Sequence, residues 1–69
     1  MNEFYMVFDD WGEYFFKKEE NAIEFLWKEY TENLTGQETI EEINKIRLQL
    51  EEYWFSPDVG EIALKEFED

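Results

Sequence analysis

Cysteine and histidine are both missing from this chain of 69 residues. Without Cys there is no disulfide, no zinc-thiolate centre and no thiol nucleophile. Without His, the usual general base and the commonest metal ligand are gone as well. Cations are scarce: six Lys and Arg stand against nineteen Asp and Glu, for a formal net charge of −13 at pH 7. Phosphate recognition needs cations, so direct binding of nucleic acid is disfavoured. Long apolar runs are lacking too. No stretch approaches the roughly 18 apolar residues of a membrane span, and Met1-Asn2-Glu3 does not begin a basic-then-apolar leader. The expected setting is cytoplasmic, with no membrane partner, and the length suits a single small acidic domain over residues 1–69. Gly-rich phosphate loops and nucleophile motifs are absent, and no cofactor is expected.

What is present is an unusual combination, because the same chain is 20% aromatic. A solvating acidic tail is poor in Phe, Trp and Tyr, so these rings argue for a core beneath a strongly negative surface. Periodicity agrees. Phe4, Met6 and Phe8 alternate with Glu3, Tyr5 and Val7, which is the period of a strand. Asp9-Asp10-Trp11-Gly12 supplies a turn, and Glu13 to Lys17 runs on as a second aromatic strand, giving an N-terminal β-hairpin.

From Glu19 to Leu34 the period becomes helical, with Ala22, Ile23, Leu26, Trp27, Tyr30 and Leu34 on one face. Gly36 is placed to stop this helix. Thr39 and Glu42 have the spacing of a capping box that opens a second helix, and its apolar stripe runs through Ile40, Ile43, Ile46 or Arg47, Leu50, and Tyr53 or Trp54. Glu24 with Lys28 and Glu41 with Lys45 have the spacing of favourable pairs one turn apart. Two antiparallel helices joined by a short loop are the expectation.

The last segment has two readings. Ser56-Pro57-Asp58 suits a helix start, and Val59, Ile62, Ala63 and Phe67 have helical spacing, but Gly60 counts against it. The runs Asp10-Trp11-Gly12-Glu13-Tyr14-Phe15-Phe16-Lys17 and Asp58-Val59-Gly60-Glu61-Ile62-Ala63-Leu64-Lys65 share the form Asp, apolar, Gly, Glu, three apolar, Lys. This match predicts that both turn at the Gly and continue as strands. The expected fold class is α+β: an antiparallel sheet of three or four strands with a helical pair on one face.

Adjacent carboxylates such as Asp9 and Asp10, or Glu51 and Glu52, have the chemistry of an acid and a base, but that work needs a shaped, partly dry pocket. A chain this short has little room for one, so no enzyme and no catalytic residue is expected. Asp9-Asp10-Trp11-Gly12-Glu13 lacks the alternating oxygen ligands and distal Glu of a calcium loop. It reads as a hairpin turn, and no metal site is expected.

The acids are spread over every segment rather than gathered in a tail. Helical carboxylates three or four positions apart lie about 5–6 Å from one another, comparable to phosphates along a strand. In size, charge, freedom from Cys and hairpin-plus-helix-pair layout, the chain resembles, as a class, the small acidic nucleic-acid mimics of phages and other mobile elements. These include restriction inhibitors, uracil-DNA glycosylase inhibitors and some anti-CRISPR proteins. The resemblance implies a non-catalytic, stoichiometric, anti-defence inhibitor that occupies the basic groove of a DNA- or RNA-binding host-defence or repair protein. It rests on no shared motif, so no functional residue carries over from it. An immunity protein or antitoxin that neutralises a basic toxin is the alternative, and a structural domain is the third.

The carboxylates expected to meet a basic partner lie on the polar helix faces and at the second turn: Glu20, Glu24, Glu32, Glu38, Glu41, Glu42, Glu52, Asp58 and Glu61. Trp11, at the first turn, joins them as a candidate contact, since Trp is enriched among binding hot spots. The favoured expectation, however, folds its indole back onto Tyr14 or Phe16. Trp27 and Trp54 are expected in the core. The remaining aromatic excess exceeds what so small a core covers, leaving an apolar patch for a partner or for self-association.

Crowded carboxylates repel one another and lower stability. The melting temperature should therefore rise with added salt and with mild acidification. A thermal scan giving the same midpoint at low and high ionic strength would contradict this.

Overall fold

The computed structural model describes residues 3–66. Six elements follow in order: β1 (Glu3–Asp9), β2 (Gly12–Phe16), α1 (Glu19–Glu32), α2 (Ile40–Tyr53), β3 (Phe55–Ser56) and β4 (Gly60–Glu66). The strands form one antiparallel sheet in the order β2-β1-β4-β3. The expected α+β architecture is the observed one, and residues 60–66 are strand. The helical alternative fails because Pro57 and Asp58 sit in a turn closed by the Val59 amide donating to the Ser56 carbonyl at 3.1 Å. Phe67, which that alternative also used, lies outside the described residues.

The internal match between the two segments has a direct structural counterpart. β2 and β4 both begin at their glycine, and they pair with opposite edges of β1 in equivalent register. Tyr5 lies between Phe16 and Leu64, Met6 between Phe15 and Ala63, Val7 between Tyr14 and Ile62, and Phe8 between Glu13 and Glu61. Directly opposed residues share a face, so each row across the sheet belongs to one side. Tyr5, Val7, Tyr14, Phe16 and Ile62 turn toward the helices. Val7, Ala22, Ile23, Leu26, Ile46, Leu50 and Ile62 make the buried core beneath them.

Each helix is built by its pattern with local departures. In α1, Ala22, Ile23 and Leu26 are buried as the spacing predicts, whereas Trp27 and Tyr30 are only partly covered. The helix ends at Asn33, whose side-chain amide donates to the Glu29 carbonyl at 2.7 Å. In α2 the Thr39 hydroxyl accepts from the Glu42 amide at 3.1 Å, supplying one half of the capping box. Ile46 rather than Arg47, and Trp54 rather than Tyr53, carry the stripe inward. Ile40, the first residue of α2, is 77% exposed.

Trp54 has a task that periodicity does not reveal. It closes α2 in the left-handed conformation, with φ 55° and ψ 27°, a geometry disfavoured for a bulky side chain. Three contacts hold it there. Its amide donates to the Leu50 carbonyl, its indole N–H donates to Glu19 Oε1 at 2.9 Å, and its ring meets Tyr5 edge-on at 5.6 Å. One residue thereby ties the end of α2 to the start of α1 and to the middle strand.

Gly60 is needed for space. A Cβ there would run into the Phe8 carbonyl and approach Leu26 Cδ2 at 3.2 Å, so only glycine lets β4 start this close to β1 under α1. Gly60→Ala should lower the unfolding free energy by roughly 1–3 kcal/mol, measured by urea denaturation. A wild-type midpoint would contradict the tight approach.

Candidate partner-binding surface

The expected contact residues do not converge. Glu20 lies in the first turn of α1, Glu41 and Glu42 in the first turn of α2, and Glu52 near its end, all exposed. Acids at these N-termini complement the helix dipoles. Asp58 is exposed in the β3–β4 turn, and Glu61 is exposed on the side of the sheet away from the helices, together with Phe8 and Phe55.

Three of the carboxylates are engaged within the chain. Glu24 accepts from Arg47 Nη2 at 2.6 Å across the two helices, and Arg47 Nε also lies 3.4 Å from Glu51. The guanidinium stands 5.3 Å from the Trp27 ring centroid, a cation–π contact that covers part of its stem. Lys28 pairs with Glu32 at 3.8 Å, not with the expected Glu24, because Arg47 already holds that carboxylate with a shorter bond. Glu41 and Lys45 form no ion pair among the described residues. Glu38 accepts from the Thr35 amide, the Thr35 hydroxyl and the Gly36 amide. These hydrogen bonds hold its carboxyl below the usual range and fasten the loop between the helices.

Trp11 is 73% exposed. It does not fold back, because Tyr14 and Phe16 are already occupied with Phe25 of α1, at centroid distances of 4.6 and 5.3 Å. Asp9 builds the turn below it, with Oδ1 accepting from the Trp11 and Gly12 amides at 2.8 and 2.9 Å. This is the carboxylate's work in the loop that superficially suits calcium. Among the described residues no group of three or more Asp and Glu is arranged to hold a metal ion, and no helix is long and apolar enough to cross a membrane.

The other oxygen of Asp9, Oδ2, is buried and has no conventional donor. Glu29 of α1 faces it. Burial pushes the Glu29 carboxyl up to about 7, helped by a hydrogen bond to Asp9 and by the charges of Asp9 and Glu32. A proton on Glu29 would supply Asp9 with a hydrogen bond and link the hairpin turn to α1. Tyr14, beside them, has its phenol pushed up by desolvation and then by Asp9 and Glu29. Sequence reasoning missed this pair because Asp9 and Glu29 belong to different elements and only the fold brings them together.

No protein-family model, curated protein or solved structure matches this chain.

The Asp9–Glu29 pair has a pH signature with a definite sign. The folded state raises the Glu29 pKa above its unfolded value, so the folded chain binds the extra proton and stability falls as pH rises from about 4.5 through about 7. Glu29→Gln keeps a donor on Asp9 at every pH. It should stabilise the protein at pH 8 by on the order of 1 kcal/mol after allowance for solvent screening, and flatten this part of the stability profile between pH 5 and 8. Urea titrations at both pH values would show it, and an unchanged pH slope in the variant would contradict the pairing.

Proposed function

We propose that this protein is a non-catalytic, stoichiometric binder of a basic protein, in its finer form a nucleic-acid mimic directed at a DNA- or RNA-binding host-defence or repair protein. The observation that supports this reading is the distribution of charge. A net charge of −13 is carried on a chain of 69 residues, and exposed carboxylates occur on both helices, on the sheet and at the second turn. Arg47 spends its charge on Glu24 and Glu51, and Lys28 lies against Glu32, so these cations neutralise their own neighbourhood and leave the wider field negative. Such a field attracts a cationic surface over a distance of about a Debye length and accelerates encounter. Self-repulsion is its cost in stability, and a binding role gives that cost a reason.

The exposed rings favour a second reading. Trp11, Phe15 and Phe55 are exposed, and an immunity protein or antitoxin that caps one cognate basic toxin has use for aromatic anchors beside its acids.

Capture from lysate at low salt, with release at high salt, identifies the partner under either reading. The nucleic-acid mimic should compete with DNA or RNA for that partner, and the cognate neutraliser should return a small basic toxin. Replacing Glu20, Glu24, Glu41 and Glu42 together by Gln should slow association severalfold at low salt and leave dissociation nearly unchanged, as read by stopped-flow mixing. Association independent of both salt and these substitutions would contradict the electrostatic reading.

A further inference from the structure

The helices cover one side of the sheet, and the register defines what stands on the other. One row reads Glu13, Phe8, Glu61, Phe55 across β2, β1, β4 and β3. The next reads Phe15, Met6, Ala63, and the third places Phe4 beside Lys65. Phe15 is 63% and Phe55 48% exposed, while Phe8, Met6 and Ala63 are half-buried. Phe4 closes the far end, stacked obliquely on Phe15 at 5.4 Å. A short sheet does not need this many rings on a solvated face, where polar residues normally alternate outward. A contiguous apolar patch of this kind marks an interaction surface.

We propose that this outer sheet face is the seat of the partner, and that its occupant is a cationic polypeptide segment carrying arginine or lysine beside apolar side chains. This rests on the acidic-binder reading above and adds to it the face and the chemistry of the segment bound. Charge complementarity selects the occupant. In the first row carboxylates alternate with rings, so a guanidinium placed on Phe8 or Phe55 has Glu13 or Glu61 within the same row. That arrangement combines a cation–π contact with an ion pair, while Met6, Phe15 and Ala63 accept the apolar side chains next to it.

The same charges disfavour other occupants. A second copy would bring −13 against −13, and nucleic acid or an anionic membrane would be repelled by Glu13, Glu61 and the field behind them. The helical carboxylates lie on the opposite side of the molecule. They steer a partner by their field, and the sheet face holds it.

The test uses the full chain, isotopically labelled and titrated at low salt with a synthetic peptide of alternating Arg and Leu, and separately with an all-Lys peptide of equal charge. Amide shifts should move at Met6, Phe8, Phe15, Phe55 and Ala63, with the Arg-Leu peptide binding more tightly than the all-Lys one. Phe15→Ser and Phe55→Ser, both at exposed positions, should keep a dispersed spectrum and weaken binding about tenfold each, as expected for aromatic hot spots. Glu13→Gln and Glu61→Gln, which preserve the apolar surface, should weaken binding and reduce its salt dependence. Shifts confined to the helices, around Glu20, Glu24, Glu41 and Glu42, with Phe15→Ser and Phe55→Ser binding like wild type, would overturn the seat and leave the acidic-binder reading standing. Failure of both cationic peptides to bind the folded chain at low salt would overturn both readings. A concentration-dependent dimer in sedimentation that Phe15→Ser dissolves would assign the face to a second copy and overturn the proposal.

Discussion

The middle strand β1 is hydrogen-bonded on both edges, by β2 and by β4, in the same register, and the rest of the molecule is arranged around it. Val7 is fully buried between Tyr14 and Ile62, and Leu26 and Leu50 of the two helices complete the layer above. Among the described residues, two helices of 14 residues each cover the sheet, forming two layers. One face of β1 is therefore core, and its other face, with Met6 and Phe8, looks outward. The outer aromatic surface follows from helices on one side only, combined with strands whose two faces are both apolar.

The acids bear on this architecture in two ways. Some are structural: Glu19 holds the Trp54 indole, Glu24 and Glu51 hold Arg47, Glu38 fastens the interhelical loop, and Asp9 forms the hairpin turn. The others leave an uncompensated field that destabilises the fold through self-repulsion. Glu29 lies between these groups, because its carboxyl stabilises the turn when protonated and opposes Asp9 when ionised. The domain is thus held by a small apolar core and a few directed contacts against its own charge.

Much of the fold was legible from local pattern. Strand alternation located β1 and β2, the helical period located α1 and α2, and the Asp, apolar, Gly, Glu match anticipated that Gly12 and Gly60 both open strands. What stayed hidden depends on contacts between distant elements. Periodicity offers Ile46 and Arg47 equally to the stripe, and only the position of Glu24 and Trp27 on α1 draws Arg47 to the helix–helix edge. Trp54 reads as the next apolar position of α2, but its left-handed backbone follows from the chain having to turn there into β3. Trp11 was expected on Tyr14 or Phe16, and Phe25 occupies those rings instead. For the candidate surface, the acids were countable in the sequence, but their scatter and the alternation of Glu13, Phe8, Glu61 and Phe55 emerge only once strand order and register are known.

The central claim is that one face of β1 is core and the other is open to solvent. Solvent paramagnetic relaxation, measured with a neutral soluble probe on the free monomer, tests it most directly by comparing side-chain signals from the two faces. The account predicts strong broadening of the Phe15 and Phe55 rings and intermediate broadening of the Met6 methyl, with Val7, Leu26, Leu50 and Ile62 protected. Protection of Phe15 and Phe55 equal to that of Leu50 and Ile62 in a verified monomer would contradict it, since the outer face would then be covered by the chain itself.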